Sequence, residues 1–600
     1  MANFIICCDS NEERKKKFLS QIEPLIAPIE GLVISTISAE VFSVVWAANK
    51  KAPVSFFKND RGLGIIWGDA FCSEYKLTAE KLIDIWDADQ DRLFDSFDGF
   101  YAAATFKYRS GLVVGTDILG LFPVYYYVSD NIILVGSSPE LFKYHPLFYA
   151  EFNPAGLVGI LLTNSIVDNE TLLKGVKRLD AGHALLWPKG NDYREIQQYT
   201  IPISTMYFDM PYNAQLHLLD ELLSHAIFRY SEEGQIGLLL SGGLDSRTVG
   251  GYIKSFRDDT LAFTIGENTD IEMQCAIKVA KSLTMQHHAF PIENDRYPLY
   301  ANLQTTWEHC ANGFNNIWGW GIPSQIKNFP QRIATGFILD VALGGAFPKA
   351  INKALSFDTL FQQDNSWGVA PDTLTTLLKI NIFGDLIQAL IRKLKIQYEK
   401  YADYETKRIL CYKLRHRQRF HVGGVVWQIS FGSWPILPIL DKQILEVIGG
   451  LPAATLSERR AQKDLLCLKF PNLAAIPLDT NSYKPVILRP RLRHLLSNYL
   501  QDRVKPLNNC LNGLRFGEKI EKRHYYRLYD FNNPGWVEVR RQAEKYRDCA
   551  ADFFNMDVFN KLLPPPETKI HFKDGISDAS GLKNLLGFLL WTGKRNADTL

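Results

Sequence analysis

Long apolar runs are missing from this 600-residue chain: the longest, such as residues 157–162, fall far short of the roughly 18 to 20 residues that cross a bilayer, so no membrane span is expected. No C-x-x-C pair occurs among the nine cysteines, and their odd number argues for reduced thiols rather than a disulfide framework or a zinc site. The amino terminus, Met1-Ala2-Asn3-Phe4-Ile5-Ile6-Cys7-Cys8-Asp9, has no basic segment ahead of its short apolar run, so no signal peptide is read there and a cytoplasmic location is expected. Neither charge is in surplus. The net charge of +2 gives no global case for nucleic acid or a membrane surface as partner. Internal repeats and low-complexity tracts are also missing. What remains, 46% hydrophobic and 22% charged residues, reads as globular chain, long enough for more than two domains' worth of core.

The rest of the chain is organised around Leu238-Leu239-Leu240-Ser241-Gly242-Gly243-Leu244-Asp245-Ser246. Residues 236–240 read as a buried parallel strand, a small glycine-containing loop breaks it, and residues 248–255 continue as a helix. Gly242 and Gly243 leave backbone N–H groups free to face an anion, the hydroxyls of Ser241 and Ser246 add donors, and the helix contributes its positive end. An ordinary tight turn between strand and helix would use similar residues. The lysine and spacing of the G-x-x-x-x-G-K-S/T loop are missing, which suggests a site that holds pyrophosphate as a leaving group. Asp245 among those donors would repel phosphate unless a hard cation lay between, so its simplest role is as a Mg2+ ligand.

The whole Ser-Gly-Gly-Leu-Asp-Ser string after a leucine run resembles the ATP-pyrophosphatase loop. In this setting the chain resembles the asparagine synthetase family, which includes β-lactam synthetases and lasso-peptide cyclases. The resemblance implies ATP and pyrophosphate contacts from Leu239, Ser241, Gly242, Gly243, Leu244, Asp245 and Ser246, with adenine against the backbone of Phe263, Thr264, Ile265 and Gly266.

Ahead of that loop, short apolar strands are expected at residues 32–37, 62–67, 101–108, 112–116, 124–128 and 132–135. Several fragments here resemble the family's amidotransferase domain in order and spacing: Asp98-Gly99-Phe100-Tyr101-Ala102, Asp117-Ile118-Leu119-Gly120, Ser137-Ser138-Pro139-Glu140, and Gly175-Val176-Lys177-Arg178-Leu179 leading to Gly182-His183. One departure matters more than these matches. Glutamine-hydrolysing members expose a cysteine at position 2 with its own amine as base, whereas this chain has Ala2. The glutamine-gripping segment is also missing, its nearest counterpart being Gly64-Ile65-Ile66-Trp67-Gly68-Asp69. Glutaminase activity is therefore not expected. Cys7 and Cys8 lie inside an apolar run, where cysteine behaves as a small buried hydrophobe unless processing exposes it.

Beyond residue 210 helices alternate with short apolar strands. A helix is expected at residues 213–230, a strand at 261–266 and a helix at 272–283, with Glu272 where the family carries an acidic residue. Adjacent His287 and His288 would face opposite sides of a strand, which favours a structural role over a shared metal. Gly336-Phe337-Ile338-Leu339-Asp340-Val341-Ala342-Leu343-Gly344-Gly345 resembles the family's second metal-site motif and aligns Asp340 with its second Mg2+-binding aspartate, with Gly336 among the ATP contacts. Phe337 stands where asparagine synthetase has a substrate-contacting glutamate and β-lactam synthetase a tyrosine, and Val341 replaces an acid. An apolar side chain cannot orient ammonia or take its proton, which makes plain asparagine synthesis less expected and a bulky, partly apolar substrate more so. Trp307, Trp318, Trp320, Trp427 and Trp434 are core residues by default, with a peptide pocket as the other reading. The run Lys413, Arg415, His416, Arg417, Arg419 reads as a solvated helix face. Pro435 to Asp441 resembles a family landmark without its arginine. Lys463 lies in a Lys-x-Leu-Leu pattern, and Lys484 falls where the family's lysine stabilises the adenylation transition state.

These readings give an α/β chain: a β-rich, two-sheet, degenerate amidotransferase-like domain (αββα) over 1–205, a doubly wound ATP-pyrophosphatase domain over 206–490, and a helical extension over 491–600. The expected catalytic residues are Asp340, Lys463 and Lys484, the expected Mg2+ ligands Asp245 and Asp340, and the expected chemistry ATP-dependent amide formation. A lasso-peptide-type macrolactam closure is the first expectation. Ammonia-dependent asparagine synthesis, a small-molecule ligase acting on an amino-acid-derived substrate, and an inactive ATP-binding scaffold are the alternatives. A leader peptidase or peptide-recognition partner is an expectation from lasso systems only.

Overall fold

The computed structural model describes residues 2–600 apart from 73–74, 90–96, 130–131, 190–191, 233, 328, 346, 348–355, 480–485, 489–523, 573–576 and 599–600. The amino-terminal third folds as two six-stranded antiparallel sheets laid face to face. In the first the strands run Lys177–Arg178, Tyr125–Ser129, Ile132–Gly136, Ala2–Asp9, Phe42–Ala48, Val33–Ala39; in the second Arg194–Gln197, His183–Pro188, Gly111–Thr116, Tyr101–Lys107, Gly62–Gly68, Val54–Lys58. Central strands such as Phe42–Ala48 and Gly62–Gly68 are buried along their whole length, whereas the edge strand Val33–Ala39 is mostly exposed. Phe4 of one sheet stacks on Trp67 of the other at 4.0 Å, and Phe42 on Phe106 at 5.1 Å, so aromatic side chains fill the space between the layers. Helix Glu12–Ile22 buries Phe18, Leu19 and Ile22, and helix Ala79–Ile85 buries Leu82 and Ile83, covering the outer faces.

The synthetase half is built on a parallel sheet. Helix α1 (Tyr212–Ser231) leads to β1 (Ile236–Leu239), α2 (Asp245–Lys254), β2 (Leu261–Ile265), α3 (Ile271–Ser282), β3 (Gln286–Phe290), α4 (Tyr297–Glu308), β4 (Arg332–Ala334) and β5 (Trp434–Ile436), in the spatial order β3-β2-β1-β4-β5. The chain winds outward in one direction through β2 and β3, then returns to the other side of β1 through β4. The topological switch point therefore lies between β1 and β4, where a ligand crevice is expected at the carboxyl ends of the strands.

Buried ion pairs join the halves. Asp69 accepts from Nε and Nη2 of Arg332 at 2.9 Å each. Arg229 bridges Asp98 (2.9 Å) and Asp441 (2.6 Å). Helix α5 (Arg460–Lys469) lies near the crevice, and α6 (Ser577–Asp598) lies along both α4 and the amino-terminal helix Pro154–Thr163, where Asn584 donates to the Ile160 carbonyl at 3.0 Å.

The basic run corrects its expectation. Rather than a solvated face, residues 414–422 form a wide-turned π-helix pressed against the amino-terminal domain. Arg419 is 3% exposed and pairs with Asp180 at 2.8 Å, Arg415 reaches the same carboxylate, and Lys413 pairs with Asp364. Arg417 lies 3.7 Å over the Trp367 ring, and burial takes His416 down to about 3. Each charge in the run that burial would penalise has an acid, a carbonyl or an aromatic face opposite it.

Candidate active site

The loop after β1 is held by its own serines. The Ser241 N–H donates to Oγ of Ser246 at 3.0 Å, the two hydroxyls lie 2.9 Å apart, and Gly243 N–H donates to Oγ of Ser241 at 3.2 Å. Gly242 admits no side chain, because a Cβ there would come within 2.9 Å of both Asp479 and Cys275. Buried Arg247 fastens the loop from behind, donating to the carbonyls of Gly242 (3.2 Å), Leu473 (2.9 Å), Ile476 (2.6 Å) and Pro477 (2.9 Å).

The second motif meets this loop directly. A Cβ on Gly336 would lie 2.6 Å from Cβ of Asp245 and from the Ser246 nitrogen, so only glycine lets the β4 loop close on β1. Two residues on, β-branched Ile338 stands in left-handed backbone (φ 71), a conformation that costs free energy and collects at functional sites. Gly344 (φ 103) then lets the Leu456 carbonyl approach to where a Cβ would sit at 1.9 Å. That approach carries in Glu458 and Arg459. Arg459 donates to the Asp245 carboxylate, and Gln462 of α5 donates to it at 3.0 Å.

Between these loops opens a crevice of about 200 Å³. Leu239, Ser241, Asp245, Ser246, Phe263, Thr264, Ile265 and Gly336 line it, joined by Leu240, Glu272, Trp318, Ile322, Thr335 and Phe337. Of the remaining expected residues, Gly242, Gly243 and Leu244 shape the loop behind the crevice, and Gly266 (φ 143) ends β2 with its N–H on the Phe290 carbonyl at 2.8 Å. Asp340 lies close enough to raise the Asp245 pKa. Burial first, and then Asp340, push Asp245 up to about 6 against the pull of Arg459. Lys463 stands on α5 next to Gln462, but Arg459 and Gln462 are the residues of that segment that reach Asp245. Lys484 lies outside the described residues. His287 and His288 take opposite faces as structural groups: His287 meets the Thr264 hydroxyl at 2.9 Å and His288 stacks on Phe263. Trp307, Trp320, Trp427 and Trp434 are buried, and Trp318 alone of the five borders the crevice.

The residues fit phosphate and a divalent cation. The paired hydroxyls of Ser241 and Ser246 belong to residues on one side of the crevice, and the buried Thr335 hydroxyl on its wall has no hydrogen-bond partner. A like-charged carboxylate pair is the donor set a hard cation takes. Among the described residues no group of three or more metal-ligating side chains occurs, so a cation here would rest on Asp245, Asp340 and phosphate oxygens.

Sequence comparison agrees with this geometry. The glutamine amidotransferase domain family matches residues 74–200, and the asparagine synthase family matches residues 218–315. A provisionally named glutamine-hydrolysing asparagine synthetase 2 of Methanocaldococcus jannaschii is 24% identical over 264 residues, spanning 42% of this chain and 50% of that protein. Over these segments the chain is similar to the asparagine synthetase family. The chain spans about half the length of that curated relative. Among solved structures it is similar to a glutamine phosphoribosylpyrophosphate amidotransferase from B. subtilis complexed with ADP and GMP (10% identity, 48% of this chain and 65% of that one, TM-score 0.21) and to an allosteric regulatory enzyme of purine biosynthesis (11% identity, the same coverages and TM-score), both likenesses too slight to weigh.

Arg459 and Gln462 are the site residues that sequence reasoning missed. The signal was close by, in the charged start of α5 four and one positions before Lys463, but only the fold gives it a direction.

Proposed function

We propose that this protein is an ATP-dependent, AMP-forming amide ligase of the asparagine synthetase type, with ATP as a substrate at the Ser241 loop. The observation that carries the reading is the closure of the Gly336 loop on Asp245 at the switch point, which sets the Ser241 and Ser246 hydroxyls and the Asp245 carboxylate on one crevice, with Asp340 near enough to raise the Asp245 pKa. In this reading Ser241, Gly243 and Ser246 orient the phosphates, and Arg459 offsets charge beside them. Asp245 and Asp340 would hold Mg2+, which when bound neutralises charge on the α-phosphate and the leaving pyrophosphate. A substrate carboxylate then becomes the acyl donor to an amine.

Phe337, Ile322 and Trp318 on the crevice wall support an acyl group with an apolar body. Ala2 in place of a nucleophile, and the Cys7 and Cys8 thiols raised well above their ordinary range by burial, support an amine drawn from solution or from the substrate itself. We take the amine to belong to the same molecule, as in macrolactam closure of a peptide. One-molecule reactions of this kind gain up to about 7 to 11 kcal/mol from proximity. A cytoplasmic setting and a leader peptidase or peptide-recognition partner belong to the same reading.

The test is release of AMP and pyrophosphate from Mg2+-ATP with a leader-free candidate peptide, beside a tube with aspartate and ammonium, with Asp340→Asn as blank. AMP in the peptide tube with a product lighter by one water supports the proposal. Asparagine with stoichiometric AMP in the other tube replaces it with ammonia-dependent asparagine synthesis, and silence in both removes the peptide reading.

A further inference from the structure

One cation in the basic run has no acid of its own. Arg419 and Arg415 share Asp180, and Lys413 pairs with Asp364. Arg417 makes no hydrogen bond or ion pair among the described residues, and its guanidinium lies 3.7 Å over the Trp367 ring. Asp364, the acid that acts on it most strongly, is the one Lys413 already holds. Stacking occupies only the flat face of a guanidinium and leaves its five N–H groups in plane, a fork that fits a carboxylate at two points. Arg417 is half-buried rather than sealed, and it borders a recess in the surface. A charge withdrawn this far from water without a paired anion is costly, and nothing in the amide-ligase reading so far explains it.

Two chains of contact lead from Arg417 to the crevice. Four positions on, His421 also meets Trp367, with ring centroids 6.1 Å apart, and its carbonyl accepts from Nδ2 of Asn316 at 2.9 Å. The Tyr529 hydroxyl donates to Oδ1 of the same Asn316 at 3.0 Å. Asn316 directly precedes the turn Ile317–Gly321, which sets Trp318 on the crevice wall. From the other side, helix Glu405–Lys413, which runs on into Arg417, packs on Val341–Gly345 directly after Asp340. Asp340 itself lies near enough to act on the Arg417 charge. His421 adds no charge of its own, because burial and then Arg417 take its imidazole down to about 3.

Resting on the amide-ligase reading, we propose that Arg417 selects the acid: it binds a second carboxylate of the acyl substrate, separate from the one that is activated, while Trp367 holds the guanidinium flat. The substrate class is then an acid with two carboxylates and an apolar body between them, the body lying against Trp318 and Phe337 of the crevice wall.

Non-reactive mimics of an acyl-adenylate, in which an acyl arm is joined to adenosine through a sulfamoyl group, test this apart from the reading beneath it. Isothermal titration of the full chain with Mg2+ compares arms that end in a carboxylate (succinyl, glutaryl, adipoyl) with uncharged arms of the same length (butanoyl, pentanoyl, hexanoyl). At least one carboxylate arm is expected to bind about tenfold tighter or more than its uncharged counterpart. Arg417→Gln removes that difference, and Arg417→Lys, which keeps the charge but not the fork, retains part of it. No advantage for any carboxylate arm, or an advantage that survives in Arg417→Gln, overturns the proposal and leaves the ligase reading standing, since the mimics still bind. Failure of every mimic to bind overturns the ligase reading and this inference with it. The paired arms on the native protein decide the matter even where an Arg417 variant fails to fold.

Discussion

Arg459 donates to the Asp245 carboxylate from 214 positions further along the chain, and it does so from left-handed backbone (φ 62) directly after Glu458 in the same region (φ 54). Each such non-glycine residue costs roughly 1–2 kcal/mol. Glu458→Gly is therefore expected to raise stability by about 1 kcal/mol in urea unfolding. A loss of stability would mean that the Glu458 side chain contributes more than its backbone costs. Arg459→Ala removes the counter-ion from a carboxylate that already feels Asp340, and is expected to cost about 1–3 kcal/mol. Adding Asp245→Asn to that variant should recover part of the loss, and strict additivity would deny the coupling.

Gly336→Ala places a methyl 2.6 Å from the Asp245 side chain and the Ser246 nitrogen. Overpacking of this kind costs about 1–3 kcal/mol and forces the two loops apart. ATP-dependent AMP release should fall by at least tenfold while the far-ultraviolet circular dichroism stays native. Full activity in this variant would show that the loops need not touch.

Arg332→Met leaves Asp69 buried with Lys76 beside it at 2.8 Å. Removing one partner of a buried pair costs about 3–5 kcal/mol when no other cation helps, so a loss of about 3 kcal/mol is expected in guanidinium unfolding. The double variant Asp69→Leu/Arg332→Met should recover most of it. A double variant as unstable as the single would place the cost in lost packing rather than in the orphaned charge.

Burial, then Asp479 and Asp270, push the Glu272 carboxyl up to about 8. A carboxyl raised above its unfolded value of 4.5 contributes stability that is fully present below 4.5 and is lost as pH rises through about 8. Between about 4.5 and about 8 the protein should lose about 1.4 kcal/mol per pH unit relative to Glu272→Gln, which cannot ionise, and the loss should level off above about 8. Denaturation midpoints of the two proteins at pH 6 and pH 9 check this. Parallel changes at both would place the ordinary Glu272 value well below 8.

Local pattern was enough for much of this fold. The apolar runs at residues 62–67 and 236–240 form the strands Gly62–Gly68 and Ile236–Leu239, and the helix read at residues 213–230 is Tyr212–Ser231. Strand and helix periods are set by neighbours in sequence, and so is the Ser241 loop, whose serines bond each other five residues apart. The strand Ala2–Asp9 was less legible, because a run buried on both faces shows no alternation.

The site's charges belong to the tertiary structure. Sequence supplied Asp245 and Asp340 as an acidic pair, but what neutralises them depends on Gly344 letting residues 456–459 approach, and no local period records that contact. The basic run 413–419 reads as a wet helix face in isolation, and it is buried because Asp180 and Asp364 arrive from elsewhere in the chain to pair with it. Composition and short-range pattern determine which segments are strands, helices and phosphate-type loops. Which charges are paired, which are crowded and which are left facing a cavity is decided by packing, because electrostatic free energy depends on distance and burial and not on order in the chain.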